Sequence, residues 1–238
     1  MKNALNAGAA GGSEHGLPAS GFVARLRYTQ RQRLFQAFRL FRQDGADDTV
    51  LSLYMQAGPG LEGGDYLTAW SAAQERAHIT SREVPAHGPG EACQRLPFAD
   101  GSFDWIFCSE VIEHAGPETR QAALVTDLYR IARKGLFITT PNRRHPLDFH
   151  TGLPLLHWLP SWRRRSAQSG KAGRAAAALH LLDAPALYRM AEALPGRPVH
   201  DVGHKRVFGI KAHFFLMIQK ESFQSKERAE NPMGQGAL

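Results

Sequence analysis

A chain of 238 residues, 43% apolar and 21% charged, is long enough for one domain with a sizeable core. That balance excludes a wholly disordered chain, and 23 glycines and 14 prolines without a three-residue period exclude collagen. The formal net charge of +7 points to anionic partners (nucleic acid, phospholipid headgroups or a phosphorylated substrate) without choosing among them.

In chain order, residues 1–20 are rich in Gly and Ala and read as a flexible tail, lacking the apolar stretch of a secretory leader. No segment reaches the roughly 18 to 20 consecutive apolar residues of a bilayer span. Cys108 sits in an apolar run and Cys93 is the only other cysteine, which fits a reducing cytoplasm. Phe22, Leu26, Leu34, Phe38 and Phe41 recur at helical spacing and predict a helix over 22–42, with six arginines and no acid. Residues 49–55 read as a buried strand, followed by a glycine-rich turn and a helix over 64–76. Further strands are expected over 78–83 and 103–108, the second preceded by the turn Ala99-Asp100-Gly101-Ser102. Leu124, Leu128 and Ile131 mark a helix over 120–131, and 135–139 is a strand stopped by Thr140-Pro141-Asn142. Residues 211–220 are strand-like with no helix behind them, so they form an antiparallel last strand. Residues 223–238 read as a second flexible tail, leaving one domain over 21–222. Strands alternating with helices predict an α/β fold with parallel pairing and right-handed crossovers.

Open α/β sheets bind ligands beyond the C-terminal ends of their strands. After the first strand comes Gly58-Pro59-Gly60-Leu61-Glu62-Gly63, a G-x-G-x-x-G whose glycines permit a tight turn and close backbone approach to a nucleotide. Such loops also occur as plain connections. The second strand ends in Glu83, twenty residues past Gly63, where a carboxylate can accept hydrogen bonds from both ribose hydroxyls. A solvated surface acid is the other reading of Glu83. Together the two features point to a nucleoside.

The centre of the chain is more specific. Leu96-Pro97-Phe98-Ala99-Asp100-Gly101-Ser102-Phe103-Asp104, Val111-Ile112-Glu113-His114, Leu128-Tyr129-Arg130-Ile131-Ala132-Arg133 and Thr139-Thr140-Pro141-Asn142 follow one another in order. This succession resembles the class I S-adenosylmethionine-dependent methyltransferases, in particular a broad bacterial group of small ones, from about Thr49 to Lys220. The resemblance implies a Rossmann-like doubly wound mixed sheet of about seven strands, the last antiparallel, with helices on both faces. It implies S-adenosyl-L-methionine as cofactor, held by Gly58, Gly60 and Gly63 at the methionine end and by Glu83 at the ribose. Leu96 and Ser109 would line its adenine and methionine sides. Ser52 and Tyr54 fall in the slots where the family usually has an acid and a glycine, so the first glycine motif is degenerate.

Methyl transfer from a sulfonium is an in-line displacement that relies on positioning, with a base needed only when the nucleophile must lose a proton. His114, just past a strand end, is the candidate base, and packing of the next helix is its other reading. Glu110, Glu113 and His114 form an E-x-x-E-H that resembles the metal site of some O-methyltransferases, but the pattern is widespread without metal and none is expected. Residues 146–180 fall where the family builds its acceptor cover. They join the apolar run LPLLHWLPSW to Arg163-Arg164-Arg165, which suits a small-molecule or lipid-linked acceptor, anionic in character, and peripheral membrane contact. No nucleic-acid module is recognisable, and nothing in the chain speaks to oligomeric state. Two other classes stay open: a catalytically silent relative acting as a binding or scaffold protein, and a basic membrane or nucleic-acid binder.

Overall fold

The computed structural model describes residues 21–43, 47–55, 64–84, 95–146 and 179–220. The glycine loop with Gly58, Gly60 and Gly63, both expected tails, Arg163–165 and most of the expected cover lie outside them.

The elements are α1 (Phe22–Arg42), β1 (Val50–Met55), α2 (Tyr66–Trp70), α3 (Ala73–Arg76), β2 (Ile79–Val84) and β3 (Phe103–Ser109). They continue through a 3-10 turn (Ile112–His114), α4 (Glu118–Ile131), β4 (Ala132–Pro141), α5 (Ala184–Glu192), β5 (Val199–Val207) and β6 (Ile210–Gln219). The single helix expected over 64–76 is two short ones. Ser71 leaves the helical backbone at ψ 149°, and its N–H and hydroxyl both donate to the Leu67 carbonyl, closing the first piece. Composition gave no sign of α5 or β5. β5 is an edge strand with the sequence VHDVGHKRV, so no apolar alternation marks it.

The sheet runs β2-β1-β3-β4-β6-β5, six strands among the described residues rather than about seven. β1 to β4 are parallel, and β6 lies antiparallel between β4 and β5. Strand alternation sorts the two faces. Leu51, Leu53, Ile106, Cys108, Leu136, Ile138, Leu216 and Ile218 form an aliphatic face under α4 and α5. Val50, Trp105, Phe107, Phe137 and Phe215 form an aromatic face under Leu34, Phe35 and Phe38 of α1. Phe107, Phe137 and Phe215 stack across three strands at 5.8 and 5.1 Å between ring centroids. Burying rings of this size is worth roughly 1.5–3 kcal/mol each. That burial is what lets an acid-free, arginine-rich helix seal this face.

Candidate active site

The strand order reverses at β1, between β2 and β3, which fixes the ligand crevice at the C-terminal ends of these strands. Parallel register puts Glu83, Tyr54, Ser109 and Thr139 in one row across β2, β1, β3 and β4 at that edge. Three of the expected cofactor residues are thus direct neighbours. The Glu83 side chain is exposed next to the C-terminal end of β2. Tyr54 is half-buried at the end of β1.

Ser52 is buried, and its hydroxyl donates to Oδ1 of Asp65 at 2.6 Å. Asp65 also caps α2, accepting from the Thr68 N–H, and takes the hydroxyls of Thr68 and Ser81. A carboxylate from thirteen residues downstream thus lies against position 52. Leu96 sits on a loop held by α4. Its N–H donates to Asp127 at 2.7 Å, while Arg130 donates to the carbonyls of Leu96 and Phe98 and to Asp100.

Directly after Ser109 the backbone turns into the left-handed region, with Glu110 at φ 53°. Such a conformation costs a non-glycine residue of order 1–3 kcal/mol and gathers at functional sites. The Glu110 N–H is held by the Thr139 carbonyl at 3.1 Å. Its carboxylate is 21% exposed, paired with Arg31 of α1 at 3.1 Å, and lies 3.3 Å from Nε2 of buried His213 of β6. Beside it the Ser109 hydroxyl donates to the Tyr66 hydroxyl at 3.0 Å, and the Arg31 guanidinium lies over the Tyr66 ring. Burial, and then the neighbouring Glu110 carboxylate, push the Tyr66 hydroxyl well above its ordinary range, so it stays a neutral hydrogen-bonding group. Ser109, Thr139 and His213 reach this cluster because they continue the alternation of Phe107, Phe137 and Phe215 on the face under α1.

His114 is half-buried in the 3-10 turn, its N–H bonded to the Val111 carbonyl. The two glutamates of E-x-x-E-H part company. Glu110 faces Arg31 and His213, whereas Glu113 is fully buried and accepts from the Thr140 hydroxyl at 3.1 Å. The cause is local: a left-handed residue and a 3-10 turn replace the α-helix that would align positions i, i+3 and i+4. Among the described residues no group of three His, Cys, Asp or Glu is disposed to hold a metal ion. Asp65, Tyr66, Arg31 and His213 were not singled out from the sequence. A cap position after Gly63-Gly64 was the one local signal, and it pointed only to Asp65.

Residues 66–139 match a family model described as a methyltransferase domain. No curated protein matches the chain. Among solved structures, a possible exported protein from Bordetella parapertussis is 13% identical, with TM-score 0.48, over 87% of this chain and 76% of that one. The N-methyltransferase NodS from Bradyrhizobium japonicum WM9, in complex with S-adenosyl-L-homocysteine, is 14% identical, with TM-score 0.41, over 85% and 90%. A SAM-dependent methyltransferase from Methanosarcina mazei is 12% identical, with TM-score 0.40, over 76% and 96%. The stretch matched by the family model, residues 66–139, runs from α2 to β4 of the mixed sheet and is similar to a methyltransferase domain.

Proposed function

We propose that the protein transfers a methyl group from S-adenosylmethionine to a small or lipid-linked acceptor at the C-terminal edge of the sheet. The row of Glu83, Tyr54 and Ser109, ending in the Glu110 cluster, is the observation that carries this reading. The cofactor supplies an electrophilic methyl on a sulfonium; the acceptor nucleophile bonds to that carbon as the carbon–sulfur bond breaks. Glu83 accepts from the ribose hydroxyls, while Ser109 and the anchored Leu96 border the nucleoside and methionine sides. The methionine carboxylate is assigned to Gly58, Gly60 and Gly63 on the family resemblance of their loop, which lies outside the described residues. Glu110 is the acceptor's hydrogen-bond partner, its carboxylate held in place by Arg31 and close to His213. His114 takes the proton when the nucleophile carries one.

Tyr54, in the slot of a glycine, favours one rival: a binding protein of this fold that does no chemistry. Calorimetry with S-adenosylhomocysteine separates the two. Binding is expected to weaken about tenfold to a hundredfold in Glu83→Ala, the effect of one lost hydrogen bond to a charged group, and to tighten in Tyr54→Gly. No heat from wild type or from Tyr54→Gly would sink the methyltransferase reading in favour of the rival.

A further inference from the structure

The turn joining β5 to β6 gathers several exposed apolar side chains in one place. Phe208 is 71% exposed, Ile210 45% and Phe22, at the start of α1, 65%. The rings of Phe22 and Phe208 stack at 6.0 Å and 18°. Both turn residues have positive φ, 50° at Phe208 and 77° at Gly209, as tight two-residue hairpins require. Asn or Gly is the usual occupant of such a position, and a bulky side chain there is an outlier. A ring held in a disfavoured backbone yet turned to solvent contributes nothing to the core.

The tip is braced and ringed by cations. Gln30 and Arg33 of α1 both donate to the Arg206 carbonyl at 3.2 Å, and Leu26 packs on Val207 and Ala212. Lys205, Arg206 and Lys211 flank the turn on the hairpin, and Arg25 and Arg33 are exposed on α1. Neither residues 22–42 nor residues 202–220 contain an acid. β5 is antiparallel to β6, and β6 to β4, so the turn rises from the same edge as the row of Glu83, Tyr54 and Ser109. Two residues beyond Lys211, His213 meets Glu110.

From these observations we infer that the β5–β6 turn and the start of α1 dock the protein on an anionic phospholipid surface, with the methyl-transfer edge facing the bilayer. The rings and Ile210 enter the headgroup boundary while the five cations meet lipid phosphates. A second copy fits poorly, since a two-fold contact would bring the same cations face to face. The inference deepens the lipid-linked part of the proposed function, because an acceptor anchored in the membrane would arrive at this edge.

The test is co-sedimentation of the full chain with phosphatidylcholine vesicles, with and without phosphatidylglycerol, across a salt series. Wild type should pellet with the acidic vesicles only and be released as salt rises. Lys205→Glu and Lys211→Glu should each weaken this binding about fivefold or more. Phe208→Asn suits the left-handed turn, so it should keep or raise the melting temperature while binding vesicles several-fold more weakly. Glu83→Ala should leave vesicle binding unchanged, and Phe208→Asn should leave S-adenosylhomocysteine binding unchanged, so each reading fails separately. Equal pelleting with neutral and acidic vesicles, unaltered binding by the Phe208 and lysine variants, retention by RNA or DNA but not by vesicles, or dimerisation through this face would each overturn the inference.

Discussion

Ser52 and Asp65 show how a local departure from a motif is absorbed by a neighbour. The Ser52 hydroxyl is buried and donates to a carboxylate that also caps α2 and takes hydroxyls from Thr68 and Ser81. Returning an acid to position 52 would put two carboxylates at hydrogen-bond distance in a place largely closed to water. Like charges so placed destabilise each other. Ser52→Asp should therefore lower stability by about 1–3 kcal/mol, and adding Asp65→Ser should recover most of the loss. Thermal melts of the single and double variants check this; a stabilised Ser52→Asp would contradict it. None of this was legible locally. The sequence marks Ser52 as a missing acid, and only the fold brings Asp65 to it.

At the scale of elements, β1, β3 and β4 are tied at their starts by one side chain. Asp104 of β3 accepts from the N–H and hydroxyl of Thr49, ahead of β1, and pairs with Arg133 of β4 at 2.9 Å. Burial by itself would raise its carboxyl, but Thr49, Arg133 and Lys134 outweigh it and hold the group below its ordinary range. A carboxylate depressed in the fold stabilises above its unfolded pKa, about 4, and that stability is lost as pH falls through the folded value. Asp104→Asn should cost about 1–3 kcal/mol near neutral pH and flatten the loss of stability below pH ~4. Denaturant midpoints across pH measure both. Strands with unbroken apolar runs, and α1 with its aromatic spacing, could be read in advance because burial leaves a periodic trace. The Glu110 cluster left no such trace. It draws on α1, α2, β3, β4 and β6, so its members are far apart in sequence and each alone resembles an ordinary surface or core residue. The segments that carry the family resemblance turn out to include scaffold as well as site. Asp104 ties strands, and Arg130 with Asp127 secures the Leu96 loop.

For the whole molecule, the sheet divides chemistry from support. The aliphatic face under α4 and α5 carries Cys108, whose thiol is pushed far up by burial and then by the nearby Glu113. The aromatic face under α1 ends in the polar cluster at the ligand edge. No described helix is long and apolar enough to cross a membrane. The last described strand, β6, is not at the rim but inside the sheet, between β4 and β5. A ribosome that has made everything up to Gly209 has therefore made β4 with one bonding edge bare and Phe137 without its Phe215 neighbour. Such an edge is a template for pairing with other chains, and contacts that wait for distant sequence fold slowly. A chain halted before Ile210 should be recovered mainly as aggregate, and one extended through Lys220 mainly in the supernatant. During synthesis the growing polypeptide passes through an interval in which its nearly finished sheet has a vacant lane beside β4, filled only when the C-terminal hairpin slides in.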